Sequence, residues 1–250
     1  MQVGSLLSEL RARYLAPSLL RRFTHDGERP DTRRPATVFE DLFWTHDGPV
    51  VDKWHHYLPL YDRYLTPWRN TPVRMLEIGV SRGGSLKMWR KYFGPDAVIF
   101  GIDIDPRCAR LNGDAGQVRI GSQDNPKFLK QVVAEMGGVD IVLDDGSHVS
   151  AHIRASLDTL FPMLADGGLY MIEDLHACYW APFGGGYRRP GSFVETVKTM
   201  IDDMHHWYHD QGERIGATAG SLAAIHAHDS IVVLEKTTVA PPRRSQRGRA

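Results

Sequence analysis

Five short apolar runs, four of them followed by a turn or loop and then a helical pattern, constrain the fold of this chain more than any other feature. The runs are "VRMLEIGV", "AVIFGIDID", "QVRI", "VDIVLDD" and "GGLYMIED". Each is short and apolar, as expected of a strand buried on both faces. Between and after them, "SLKMWRKYF", "NPKFLKQVVAEM", "SAHIRASLDTLFPML" and "GSFVETVKTMIDDMHHWYHD" have helical spacing. Asp124 or Asn125 suits the cap of the second of these helices, and Ser147 or Ser150 the entry to the third. "LAAIHAHDSIVVLEK" reads as two strands joined by a tight turn at His228, Asp229 and Ser230. Strands alternating with helices predict an α/β fold: a doubly wound, Rossmann-like, mostly parallel sheet of seven strands that ends in an antiparallel hairpin.

The chain divides into three parts on this reading. Residues 1–50 form a helical extension. Residues 51–238 form the main domain, with a helical lid at 51–70. Residues 239–250 form a basic tail whose Pro, Arg and Ser content predicts disorder. Lys plus Arg equals Asp plus Glu, 30 against 30, so the chain carries no electrostatic footprint for nucleic acid or an anionic membrane. No apolar run approaches the ~20 residues of a membrane span. The start reads as an amphipathic helix and not a signal peptide. Two cysteines, Cys108 and Cys178, are too few for a disulfide scaffold, and a cytoplasmic location is expected. A homodimer is compatible with the sequence, which does not fix the oligomeric state.

Ligands of such sheets bind beyond the carboxyl ends of the strands. Acids sit there: Asp103, the pair Asp144 and Asp145, and the pair Glu173 and Asp174. In "LEIGVSRGGS", Gly79, Ser81 and Gly83 form a strand-to-helix turn that lets a ligand approach the backbone. Asp103 ends the next strand at a spacing suited to ribose hydroxyls. Glu77 beside the loop would repel a pyrophosphate. S-adenosylmethionine has no phosphate and carries a sulfonium cation, so it fits better. Ser122 and Gln123 in "GSQDN" suit the adenine edge, together with Asp124. A ligand-free tight turn is the alternative reading of the loop.

With "EIGVSRGGS", "GIDID", "DDGSH" and "IEDLH" in order, the chain resembles class I S-adenosylmethionine-dependent methyltransferases. More closely, it resembles metal-dependent sugar O-methyltransferases, among them enzymes of mycinamicin and methylmannose polysaccharide synthesis. The similarity runs from about Val51 to Asp210. It implies that Asp145, Glu173 and Asp174 bind Mg²⁺ and that His148 is the base. Ser81 departs from the usual middle glycine of the loop. The residues agree with the resemblance on physical grounds. Three carboxylates at neighbouring strand ends call for a cation, and an all-oxygen site suits Mg²⁺. His148, three residues beyond Asp145, can take a proton near neutral pH. Asp144 reads as a supporting carboxylate on the cofactor side, with a helix-capping role as its alternative.

The expected acceptor is a small saccharide or glycoside. Tyr179, Trp180 and Tyr187 in the glycine-rich loop are its candidate walls. In "DKWHHY", Lys53 or His56 points to the site if the lid closes; the alternative is a helix with Trp54, Tyr57 and Leu58 packed inward. His205 and His209 have the spacing of a zinc pair but no third ligand nearby in sequence, which favours a polar helical face. The implied function is sugar O-methylation, with the 1-hydroxyl of a methylated mannoside in polysaccharide biosynthesis as one candidate. A catechol, a phenol or a natural-product glycoside is the alternative acceptor. A non-catalytic cofactor-binding module and a hydroxylase rank below these. An iron oxygenase would want two histidines and one carboxylate, whereas this set offers three carboxylates and His148.

Overall fold

The computed structural model describes residues 18–20, 23, 36–113, 115–209 and 216–248. Its centre is a seven-stranded sheet in the order β3-β2-β1-β4-β5-β7-β6. The strands are β1 (Arg74–Ile78), β2 (Val98–Asp103), β3 (Gln117–Ile120), β4 (Val139–Asp144), β5 (Leu164–Ile172), β6 (Leu222–Ala227) and β7 (Val232–Lys236). β1 to β5 pair in parallel, and β7 lies antiparallel between β5 and β6. The α/β sheet expected from the apolar runs is therefore present, and its chain reversal lies at the His228–Ser230 turn.

Side chains alternate across a strand, so each strand feeds two cores. Met75, Ile99, Ile141, Leu143, Met171 and Val233 face one side. There they meet α1 (Val38–Trp44), α2 (Leu58–Leu65) and α3 (Gly84–Phe93) through Phe39, Tyr61 and Trp89. Leu76, Ile78, Phe100, Val142, Tyr170 and Ile172 face the other side. There they meet α4 (Pro126–Met136), α5 (Ser150–Leu160) and α6 (Phe193–Met204) through Leu129, Leu157 and Phe193. Burial on both faces explains why the strands read as apolar runs without alternation. On the first side the helices are also tied by one buried carboxylate: Asp62 of α2 accepts from the Phe39 amide at 2.7 Å and from the Tyr92 hydroxyl at 3.0 Å.

The helix ends follow local chemistry. Thr37 and Glu40 form a capping box at α1. Asn125, not Asp124, caps α4 by accepting from the Phe128 amide. Neither Ser147 nor Ser150 caps α5, whose N-cap is Val149; the Ser147 hydroxyl accepts from the Val149 amide and pairs with His152 instead. α6 stops at Met204, earlier than the sequence pattern. The reason lies in the histidines. His205 Nδ1 contacts the Ile201 carbonyl at 2.7 Å and His206 Nδ1 the Asp203 carbonyl at 2.8 Å, which satisfies the end of the helix and ends the 205–209 register.

The expected helical lid at 51–70 is helical only in its second part, α2 and the single turn Thr66–Trp68. Residues 46–54 have no helical turn, and α2 begins at Leu58. A Cβ on Gly84 would run into the Pro49 and Val50 carbonyls, so this segment is an irregular strap pressed onto the start of α3. Of the expected N-terminal helical extension, α1 and the helical residues 18–20 are described, and the rest lies outside the described residues. The described part of the basic tail, 239–248, has no helix or strand. No helix among the described residues is long and apolar enough to cross a membrane.

Candidate active site

Strand register places the acids. Ile78 of β1 pairs with Asp144 of β4, and Asp144 with Ile172 of β5. Gly79, Asp145 and Glu173 therefore leave the sheet side by side. Their amides still donate to the neighbouring strand: Gly79 to the Ile102 carbonyl, Asp145 to Ile78 and Glu173 to Asp144, at 2.8, 2.9 and 3.0 Å. Alternation then sorts the acids by face. Glu77, Asp145 and Glu173 continue the face of Met75, Leu143 and Met171, and Asp144 continues the opposite face of Val142. The two aspartates of "DDGSH" thus serve different chambers.

A crevice lined by Ile78, Gly79, Ile102, Asp103, Ile104, Gly121, Gln123 and Gly146 lies beside the first loop. Gly79 has φ of 95°, and a Cβ there would strike the Asp145 carbonyl. Ser81 takes φ of 50° where a glycine would be unstrained. Gly83, with φ of 82°, starts α3 against Leu111. Asp103 lines the crevice while tying the loop down: its Oδ2 accepts from the Val80 and Ser81 amides at 3.1 and 2.9 Å. Gln123 also lines it; its amide donates to Asp144 and its carbonyl accepts from the Ser147 amide at 2.8 Å. Ser122 donates to Asp124 at 2.6 Å.

Glu77 lies beneath the crevice and not in its lining. It is fully buried and accepts from Trp89 Nε1 at 2.9 Å and Ser85 Oγ at 3.0 Å. Burial raises its pKa to about 7 against the pull of Lys53. Asp144 is likewise interior. It accepts from Ser156 Oγ at 2.6 Å and from Gln123, and burial lifts its pKa to about 6. Its role in this structure is to brace the Gln123 wall and the middle of α5. Gly79→Ala is a direct test of the first loop. It should cost about 1–3 kcal/mol or more through the forbidden φ and the carbonyl clash. Urea denaturation should show that loss, and calorimetry should show loss of S-adenosylhomocysteine binding.

The second half of the site joins β4, β5 and the strap. His148 Nε2 lies 3.6 Å from Asp174 Oδ2 and 4.0 Å from Asp145 Oδ1. The ligand-competent atoms of Asp145, His148 and Asp174 all lie within 4.8 Å of one another, the one such group among the described residues. His148 and Asp174 are both left-handed, with φ of 56° and 57°. Such backbone costs energy in residues other than glycine and persists where surrounding contacts enforce it. For Asp174 the contacts are visible: Oδ1 accepts from Trp54 Nε1 at 3.1 Å and from the Tyr57 hydroxyl at 3.0 Å. Tyr57 also reaches the Ser230 carbonyl at 3.0 Å, and His176 Nδ1 meets Ser230 Oγ at 2.5 Å.

Glu173 departs from the expected arrangement. Both of its oxygens are engaged on the strap side, Oε1 by the Tyr61 hydroxyl at 2.6 Å and Oε2 by Lys53 Nζ at 2.7 Å. Lys53 also bridges to Asp145 Oδ2. Its side chain is 3 % exposed. Burial opposes its ammonium, but Asp145, Glu173 and Glu77 more than offset this and hold its pKa well above the ordinary value. Burial also raises the Glu173 pKa to about 8, with Lys53 pulling the other way. The structure thus gathers Asp145, His148 and Asp174 around one open notch and turns Glu173 towards α2, the direction strand alternation gives it.

Of the two strap residues expected near the site, the structure brings in Lys53 and not His56, and Trp54, Tyr57 and Tyr61, which the sequence gives no reason to place on the acids, join it. Their sequence signal is faint, since on an amphipathic pattern they read as packing. His56 is exposed and points its Nε2 to the Asp229 carbonyl at 3.1 Å, away from the acids. Among the expected acceptor walls, Trp180 packs on His176 with ring centroids 4.9 Å apart, next to the notch. Tyr179 and Tyr187 are exposed, Tyr187 at 81 %.

This fold, with its loop after β1 and acids after β2, β4 and β5, is that of the class I methyltransferases. Residues 76–175 match the family model of a methyltransferase domain. Within that class the chain is similar to sugar O-methyltransferases. It is 40% identical over 220 residues to 8-demethyl-8-(2-methoxy-alpha-L-rhamnosyl)-tetracenomycin-C 3'-O-methyltransferase of Streptomyces olivaceus, covering 83% of this chain and 56% of the relative. It is 36% identical over 196 residues to mycinamicin VI 2''-O-methyltransferase of Micromonospora griseorubida, covering 73% and 48%. Among solved structures, MycE methyltransferase from the mycinamycin biosynthetic pathway, in complex with Mg and SAH, superposes with a TM-score of 0.73 at 33% identity, over 82% of this chain and 55% of that one. The chain spans about half the length of the curated relatives it matches.

Proposed function

We propose that this protein is an S-adenosylmethionine- and Mg²⁺-dependent O-methyltransferase whose acceptor is a sugar hydroxyl of a glycosylated natural product. The observation that carries this reading is the notch of Asp145, His148 and Asp174 at the ends of β4 and β5, one strand from the glycine loop. The names of the relatives support the choice of a sugar acceptor. A methylated mannoside is the finer alternative and rests on the sequence motifs alone.

The donor set fits a hard divalent cation. Asp145 Oδ1 and Asp174 Oδ2 face His148, while the other oxygens of both aspartates are held by the strap. Asp145 and Asp174 would hold the ion, with Glu173 behind them. A cation bound there supplies the positive charge that acidifies the acceptor hydroxyl. The residues of the chain do the rest. The loop from Gly79 to Gly83 would seat the cofactor, and Asp103 keeps the loop in shape. The acceptor hydroxyl gives its proton to His148 Nε2 as its oxygen bonds the methyl carbon. When bound, the cofactor would supply that methyl group from its sulfonium and leave as a neutral thioether. Left-handed backbone at His148 keeps the imidazole over the notch.

The test is mass spectrometry of a panel of glycosides, methylated mannosides and catechols incubated with the protein, labelled cofactor and Mg²⁺. Label should enter a glycoside. Turnover of catechols with every saccharide inert would replace this reading by phenolic methylation. Chelation should abolish the activity and added Mg²⁺ or Mn²⁺ should restore it, because both accept oxygen ligands. Undiminished turnover in excess chelator would remove the cation from the mechanism.

A further inference from the structure

Three carboxylates meet where β4 and β5 end, and the same place holds a buried lysine contributed by the strap. We propose that Lys53 is a built-in counter-charge that competes with a divalent cation for Asp145 and Glu173, so that it weakens metal binding while keeping the metal-free protein folded. The inference rests on the reading of these acids as a cation site.

Geometry separates this role from an ordinary salt bridge. The lysine side chain is almost fully buried, and its ammonium touches Asp145 Oδ2 and Glu173 Oε2 together. It links the ends of two different strands, as a shared cation would. Its ring neighbour, Tyr61, hydroxyl-bonds the other oxygen of the same Glu173. The strap and α2 together therefore bring one positive charge and three neutral donors, Trp54, Tyr57 and Tyr61, to Asp145, Glu173 and Asp174. Lys53 is the cation that both Asp145 and Glu173 contact. Without it the two carboxyl groups face each other at the strand ends with no ammonium between them. An uncompensated buried carboxylate is strongly destabilising, so the metal-free fold depends on Lys53. A divalent ion entering the notch meets that same ammonium as a like charge. An anchoring lysine would only hold the strap in place, and its removal would loosen the site for every ligand. A competing lysine predicts the opposite for metal.

Lys53→Met keeps the length and apolar stem of the side chain and removes the charge. Mn²⁺ binding should be measured by calorimetry on wild type and variant, with melting curves in chelator and in excess Mn²⁺. The variant should melt lower than wild type in chelator, recover more of its stability with Mn²⁺, and bind Mn²⁺ at least about tenfold more tightly, as expected when a unit charge near a divalent ion is removed at the effective dielectric of a protein interior. Recovery of folded variant only in the presence of Mn²⁺ would support the proposal in the same sense. Equal or weaker Mn²⁺ affinity, an equal loss of stability with and without the ion, or failure to fold in either condition would overturn it. Wild-type protein that binds no Mn²⁺ would instead remove the cation reading itself. Binding to wild type without tightening in the variant would remove only the role of Lys53.

Discussion

His148→Ala should lower turnover by about 10²–10⁴-fold, the range for a lost general base. Its imidazole is the one proton acceptor of the notch that is not itself a carboxylate, and it sits 3.6 Å from Asp174 and 4.0 Å from Asp145. S-adenosylhomocysteine affinity should change little, because the crevice lining lies on the other side of the loop after β4 and does not include His148. The fold should also survive, because the ring is partly exposed. Single-turnover kinetics with saturating Mg²⁺ would check the prediction. A variant that retains most of its rate would assign deprotonation to solvent at the metal and leave the acids untouched.

Asp174→Asn should produce the second large loss, about 10²-fold or more in turnover at fixed Mg²⁺, from the several kcal/mol that metal-assisted charge stabilisation supplies. Asparagine keeps a carbonyl oxygen for Trp54 Nε1 and the Tyr57 hydroxyl, so the strap stays docked. What disappears is the charge of the oxygen that faces His148. The signature is a shift of the Mg²⁺ dependence to higher concentration with an unchanged melting temperature in chelator. Asp174→Ala would blur that separation, because it also takes the acceptor from Trp54 Nε1 and leaves the Tyr57 hydroxyl only the Ser230 carbonyl. An Asp174→Asn protein with wild-type Mg²⁺ response would mean that Asp174 serves the strap alone.

The strands and their acids were legible from the sequence for a physical reason. A parallel sheet covered on both faces writes itself as short apolar runs, and chemistry collects where those runs end. Asp103, Asp145, Glu173 and Asp174 could be placed at that edge before any coordinates. The division of labour between Asp144 and Asp145 was only half visible. Alternation puts them on opposite faces, but Ser156 and Gln123, the partners that make Asp144 an interior brace, come from separate elements. The strap was the least legible. Lys53 lies 92 residues from Asp145 and 120 from Glu173, and Tyr61 lies 112 from Glu173. Read locally, "DKWHHYLPLYDRYL" is an amphipathic helix. Its first part instead continues the strap, which crosses the start of α3 just before it, where Gly84 leaves room for the Pro49 and Val50 carbonyls. The histidines at 205 and 209 misled for the converse reason. Helical spacing in the sequence was cut short by the histidine rings themselves.

The hairpin of β6 and β7 has a consequence for how the site comes into being during synthesis. Tyr57 meets the Ser230 carbonyl across 173 residues, His56 meets Asp229, and Tyr64 Oη meets His228 Nε2 at 2.7 Å. The strap and α2 leave the ribosome long before the turn on which they rest. At about 5–20 residues per second, that interval is roughly ten to thirty-five seconds. Throughout it, Tyr57 lacks the Ser230 carbonyl, and contacts of such long range are slow to close even when the chain is complete. The acids after β4 and β5 also emerge within it, before the last strand can seal their edge of the sheet. The active site is therefore one of the last parts of this protein to be assembled, and a nascent chain released before residue 230 would carry the acids without the floor that supports them.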